Sequence, residues 1–378
     1  MSQGAPAQDS PLLPLLLEAG GVPAEYHGRR LVRHFGDPGT EYRASVEGVA
    51  VFDRGHRTRL VVSGRAPGQM LSGIVTGVIP ASAQEAEPGV KTGVASYHAV
   101  LTPKGRMISD CVMLLPDDEQ RSGFLLDVPV AGREGLLAHF ARFLPPRFAA
   151  VTDVSSDLAS ISVVGPGSTA ALAKLALGLA VDSSSMAGAE EGRWWAREPA
   201  VEGLVVSRSC DVWPTAWTVY GPKDSVAALW RALRREGAVP AGLGVWKTLG
   251  VEAGRPVFGT DMDEDTLPPE AGIVDRAIDQ TKGCYTGQEV IVRIRDRGHV
   301  NRHLRRLLLG DVPAPAPGTE LSACDDAEKV VGRVTSSVQS PRFGGVAALA
   351  YIRRGVRCVR LGDLEMEVPE GFPEPADS

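Results

Sequence analysis

Apolar and polar positions fall into a regular pattern from Val49 onward, and the chain then repeats one local unit. Arg59 to Ser63 reads as a strand and Gly64 as a turn, while Met70, Leu71 and Ile74 share one face of a helix. The same order returns at Ile161–Gly165–Pro166 before Ala170–Leu179, and at Val219–Gly221–Pro222 before Val226–Leu233. A helix's first turn tolerates proline, because the N–H that proline lacks has no partner there. Such spaced units point to related α+β lobes more than to a solenoid. Tyr97–Leu101 and Arg106–Leu115 flank Thr102-Pro103-Lys104-Gly105, which predicts a hairpin. After about Val300 the helical spacing stops. His303–Leu309, Lys329–Val338, Gly345–Ile352 and Arg357–Val368 alternate as strands between Pro/Gly turns, predicting a small β-barrel. The pattern divides the chain into a loosely attached N-terminal arm (1–45), a two-lobed region (46–298) and a C-terminal barrel (299–378).

Composition narrows the class without naming a function. With 378 residues, 43% hydrophobic and 23% charged, the chain can bury a proper core. A formal charge of −6 argues against a dedicated nucleic-acid-coating protein. The run Pro11–Leu17 is too short, and too broken by Pro14, to span a membrane. The first ten residues hold no Lys or Arg, so no secretory leader is expected. Cysteines at 111, 210, 284, 324 and 358 form no CxxC pair. Free thiols, a reducing cytoplasm and no metal site are therefore expected.

Several motifs fail on spacing. Asp261-x-Asp263-x-Asp265 lacks the glycine and glutamate of a calcium loop, and Trp246 stands where a phosphate loop needs glycine. His299 and His303 sit in an arginine-rich stretch without the glutamate of a zinc helix. Three features survive. Lys282-Gly283-Cys284-Tyr285-Thr286-Gly287-Gln288-Glu289 places a thiol between a lysine and glycines, either an activated thiolate or a buried cysteine in a turn. Glu252, with Arg255 in the following glycine-rich loop, could accept paired N–H bonds from a heteroaromatic ring or simply close a surface ion pair. Arg293, Arg295, Arg297, Arg302, Arg305 and Arg306 face only Asp296 within fourteen residues. That run suits an anionic ligand tail or RNA backbone, or a solvated salt-bridged surface.

The motif Lys282–Glu289 resembles the signature of the YgfZ family of folate-binding proteins, whose relatives act in iron–sulfur cluster assembly. The stretch Val251–Gly272 and the C-terminal Gly332–Ile352 are similar to the larger superfamily that includes the aminomethyltransferases of glycine cleavage. The resemblance implies an α+β fold of two ferredoxin-like lobes plus a C-terminal β-barrel around a central opening that holds tetrahydrofolate or a one-carbon derivative. It implies that Glu252 grips the pterin ring and that Cys284 is the signature thiol. Arg255, Lys282, Gly283, Tyr285 and Gln288 would line the folate site, with Arg293 and Arg295 near its glutamate tail. Iron–sulfur client proteins or assembly factors, including enzymes that modify tRNA, would then be partners, with possible RNA contact along Arg293–Arg306. Against the aminomethyltransferases, the 105–110 hairpin keeps one of two aspartates, Asp110. A folate-dependent aminomethyl or demethylating transferase using Asp110 is the alternative.

Overall fold

A computed structural model of the chain describes residues 7–119, 122–179, 186–197 and 203–371. Two sheets pack face to face with helices outside them. The five-stranded sheet runs in the order Ala150–Asp153, Arg57–Ser63, Phe124–Pro129, Met107–Leu114, Ser96–Leu101. The eight-stranded sheet is centred on Ala50–Asp53, Leu158–Val164 and Ala216–Pro222. Leu114 and Leu125 from the first meet Trp194, Val205 and Tyr220 from the second. Each outer face carries helices, Pro67–Ser72 and Arg133–Phe143 on one side and Lys223–Arg235 on the other. In Lys223–Arg235 the buried positions are Val226, Leu229, Trp230 and Leu233, one stripe at helical spacing.

The first two strand–turn–helix units and the 97–115 hairpin form as the pattern predicts, whereas in the third Gly221 and Pro222 belong to the strand Ala216–Pro222 and the helix Lys223–Arg235 follows directly. Two of the turn glycines are required by geometry. Gly64 (φ 146°) and Gly165 (φ 115°) adopt backbone that L residues avoid, and a Cβ would stand 2.4 Å and 2.3 Å from the carbonyl oxygens of Phe148 and Gly48.

The N-terminal segment is not a loose arm. Leu12, Leu13 and Leu16 are buried in the same core as Val226 and Trp230. Asp37 caps the helix Pro38–Glu47, its carboxylate accepting from the Gly39 and Thr40 amides at 3.2 and 2.9 Å. Strands Val22–Tyr26 and Arg29–His34 form a finger-like hairpin joined by His27 and Gly28, both at positive φ.

The C-terminal region is a six-stranded antiparallel sheet running from Arg302–Gly310 to Leu364–Glu367. Bulges near Leu308, Leu321 and Val334 curl it into a half-barrel. Cys324 and Cys358 are joined by a disulfide across two of its strands, which corrects the expectation of five free thiols. Among the described residues, no helix is long and apolar enough to cross a membrane.

Candidate active site

A cavity of about 1180 Å³, counting its open mouth, lies where both sheets, the half-barrel and the finger converge. Its longest wall is the helix Leu243–Glu252, which contributes Leu243, Trp246, Lys247, Gly250 and Val251, all on one helical face. Val130, Phe258 and Val338 add apolar surface from three other segments. Tyr26 enters from the finger, its hydroxyl 3.0 Å from Thr260 Oγ1.

The floor is a buried charge network. Arg57 pairs with Asp127 at 3.0 Å and donates to its backbone carbonyl at 2.6 Å. Tyr220 donates to the same carboxylate at 3.0 Å. Arg54 and Arg276 bracket Asp211 at 2.9 and 2.7 Å, and Arg276 also pairs with Glu191. Burial alone would raise the Asp211 carboxyl, but Arg276 and Arg54 hold it well below the usual carboxylate range. Each arginine also covers an aromatic face, Arg54 over Trp246 at 4.4 Å and Arg276 over Tyr97 at 4.1 Å.

Asp110 stands apart in this network. It is 3% exposed, and one oxygen accepts the Tyr97 hydroxyl at 2.7 Å. The other oxygen has no hydrogen-bond partner, with Arg57 4.0 Å away. Burial pushes the Asp110 carboxyl up, opposed by Arg57 and the Tyr97 hydroxyl. The remaining acids of the lining are saturated. Asp261 accepts from Thr335 (2.6 Å), Ser336 (2.7 Å) and the Val257 amide (3.0 Å), and Asp211 is held by two arginines. His56 adds a buried imidazole whose Nδ1 lacks a partner. Burial, together with Arg54 and Arg57, drives it well below its ordinary pKa, so it is neutral at pH 7.

Of the residues expected from sequence, Asp110 and Arg255 line this cavity and the others do not. The Glu252 carboxylate is buried elsewhere, accepting the Tyr42 hydroxyl at 2.9 Å and the Ser340 hydroxyl at 2.5 Å. It ties the helix Pro38–Glu47 to the end of strand Val330–Ser340. Its place in the helix explains this, since Val251 faces the cavity and Glu252 is turned about 100° away.

The Lys282–Glu289 loop is also built for packing. Lys282 donates to the carbonyls of Ser72 (2.9 Å), Val75 (2.6 Å) and Gly77 (2.9 Å), and burial lowers its pKa to about 8. Tyr285 is buried with Ile291 and Ala277, and a Cβ on Gly287 would stand 2.6 Å from the Thr102 carbonyl. Gly283 and Cys284 are left exposed, outside the cavity. Tyr285, Gln288 and Arg295 do come together, in a separate surface hollow. Arg293 is exposed on the helix Gln288–Arg297, and Arg295 pairs there with Asp296.

The arginine run does not form one anionic-ligand face. Arg302 pairs with Glu270 at 3.1 Å, and buried Arg306 donates to the Glu252 carbonyl at 2.5 Å.

Sequence reasoning missed Arg54, His56, Arg57, Asp127, Asp211 and Arg276. One signal was present: Arg54 precedes, and Arg57 and Arg59 open, the apolar strand Arg57–Ser63, and charges in such a strand require buried partners.

The family described as the GCVT N-terminal domain matches residues 17–282. An aminomethyltransferase of Rubrobacter xylanophilus is 30% identical over 263 residues, 69% of this chain and 66% of that relative. One from Staphylococcus carnosus is 26% identical over 352 residues, covering 91% of this chain and 90% of the relative. The crystal structure of the glycine cleavage system aminomethyltransferase T from Bartonella henselae superposes with a TM-score of 0.80 at 18% identity, covering 96% of each chain. That superposition speaks for the fold. The family match over residues 17–282, more than half of the chain, shows that the chain belongs to the GCVT family.

Proposed function

We propose that this protein binds tetrahydrofolate in the central cavity and transfers a one-carbon unit, of the aminomethyl class, between an amine and the folate. The observation that carries the reading is the buried oxygen of Asp110 at the cavity floor that accepts no hydrogen bond, with Arg57 4.0 Å away. The relatives' name, aminomethyltransferase, supports transfer over the iron–sulfur and tRNA-modification role expected from the Lys282–Glu289 motif. The exposed position of Cys284, outside the cavity, removes the geometric argument for a thiolate beside the folate.

The lining suits a reduced pterin with its aryl arm. Trp246, Val251 and Phe258 offer apolar walls, and Asp110 Oδ1, His56 Nδ1 and Arg54 Nε are polar atoms still lacking partners. Tetrahydrofolate supplies the nitrogens that accept the carbon. Asp110 supplies a negative charge in a site of low dielectric, where it stabilises a cationic centre or takes a proton from an attacking nitrogen. Tyr97 fixes the carboxylate through Oδ2 and leaves Oδ1 without a hydrogen bond. Arg57 and the Tyr97 hydroxyl oppose the rise that burial imposes on the carboxyl. Transfer is tested by incubating the protein with tetrahydrofolate and either an aminomethylated carrier, measuring methylenetetrahydrofolate and released ammonia, or an N-methyl amine, measuring methyltetrahydrofolate. Failure of all these substrates, with tetrahydrofolate still bound, would reduce the proposal to a binding role.

A further inference from the structure

The half-barrel ends in a hairpin, Cys358–Leu361 and Leu364–Glu367, at the sheet edge beside strand Glu320–Ala323. Val359 and Met366 of the hairpin, with Leu321 and Ala323 of the strand, are buried in the half-barrel core. The alternate positions therefore face outward, because side chains along a strand take opposite sides in turn. On that outer face the register sets Arg360 opposite Ser322 on one side and Glu365 on the other. Cys358 lies two residues before Arg360 on the same face, and Cys324 meets it in the disulfide.

Among the described residues, only here do three thiol, imidazole or carboxylate groups converge on one point. The two sulfurs and a Glu365 oxygen lie within 4.8 Å of one another, with both cysteines half-buried and Glu365 exposed. A reductant and an ion can therefore reach them. Arg360 pairs with Glu365 and donates to the Cys324 carbonyl at 3.2 Å. Once the disulfide is opened, two thiolates and a carboxylate beside one guanidinium leave two negative charges, which a divalent cation cancels. Two sulfurs and one carboxylate oxygen suit a borderline-soft ion such as zinc, with water as the fourth donor.

We propose that Cys324, Cys358 and Glu365 form a zinc site in the reduced protein, and that zinc and the disulfide exclude each other there. Reduction moves two electrons and two protons from a dithiol to the cysteine pair, the dithiol closing its own disulfide. Zinc then releases both thiol protons to solvent. Either link ties the terminal hairpin to strand Glu320–Ala323. The cysteines stand 34 residues apart, outside the short spacings that mark metal motifs, so the sequence predicts no metal here. The inference is independent of the folate reading.

The test uses the full chain carrying Cys284→Ser, which removes the exposed thiol, reduced with a dithiol that is then removed under argon. Cobalt(II) should bind at one equivalent with an intense thiolate-to-cobalt band in the near ultraviolet, and zinc should displace it. Protein with the disulfide intact should give no band. Glu365→Gln leaves the cysteines in place and should weaken zinc about tenfold or more in competition with a chromophoric chelator. Cys358→Ser, checked for folding by circular dichroism, should abolish the band. Zinc should raise the Tm of the reduced protein and leave that of the oxidised protein unchanged. No band in the reduced parent, a band that survives Cys358→Ser, or unchanged zinc affinity in Glu365→Gln overturns the proposal. An equal band in the oxidised protein would place the metal on other thiols and overturn it as well.

Discussion

The Lys282–Glu289 loop and the cavity floor differ in how they use rare residues. The loop concentrates a lysine, two glycines, a cysteine and a tyrosine in eight positions, and Lys282, Tyr285 and Gly287 among them serve packing. The floor gathers Arg54, Arg57, Asp110, Asp127, Asp211 and Arg276 from positions scattered over more than two hundred residues. Local density marked a structural anchor, whereas dispersed charges that meet in space built the site. A lysine that caps three carbonyls is satisfied by its neighbours; a carboxylate with one free oxygen is not.

Breaking the floor should cost most. Asp127→Ala leaves Arg57 buried without its counter-ion and Tyr220 without its acceptor, so we expect a loss of about 3–5 kcal/mol in urea unfolding. Retained stability would mean that water replaces the carboxylate. Asp110→Asn keeps the shape and removes the charge. Turnover should fall about 10²–10³-fold while folate affinity changes little, and a fall in affinity alone would return Asp110 to a binding role.

Glu252→Ala separates anchor from site. It removes the acceptor of Tyr42 and Ser340 and should cost about 1–3 kcal/mol, with folate affinity unchanged once the protein is folded. Selective loss of folate binding at full stability would restore Glu252 as a ligand.

A pH titration sharpens the contrast further. His98 Nδ1 accepts the Gly77 amide at 3.0 Å, and burial lowers its pKa to about 3 from the ordinary 6.5. Between those values the unfolded state binds a proton that the folded state refuses, so stability should fall as pH drops from 6.5 toward 3. His98→Asn should flatten that slope in denaturation curves measured at several pH values. The smallest effect is expected at the exposed thiol. Cys284→Ser should alter stability by less than about 0.5 kcal/mol and leave turnover intact. Iodoacetamide should label Cys284 ahead of buried Cys111, without protection by folate, and protection would bring the loop back to the site.

Local periodicity settled much of this protein without tertiary help. The first two strand–glycine–helix units, the 97–115 hairpin and the strand-rich C-terminus depend on contacts between near neighbours, on turn residues and on one-sided burial, and all can be read along the chain. Asp110 was legible through its hairpin, whereas the helix Leu243–Glu252 and its cavity face were not read from the sequence. Tertiary structure alone decided which carboxylate is free. Asp110, Asp211, Asp261 and Glu252 are the same chemistry in sequence, and only the partners supplied by distant strands saturate three of them and leave one oxygen open. It likewise decided that the N-terminal leucines pack and that the finger frames the mouth, because those contacts join segments some two hundred residues apart.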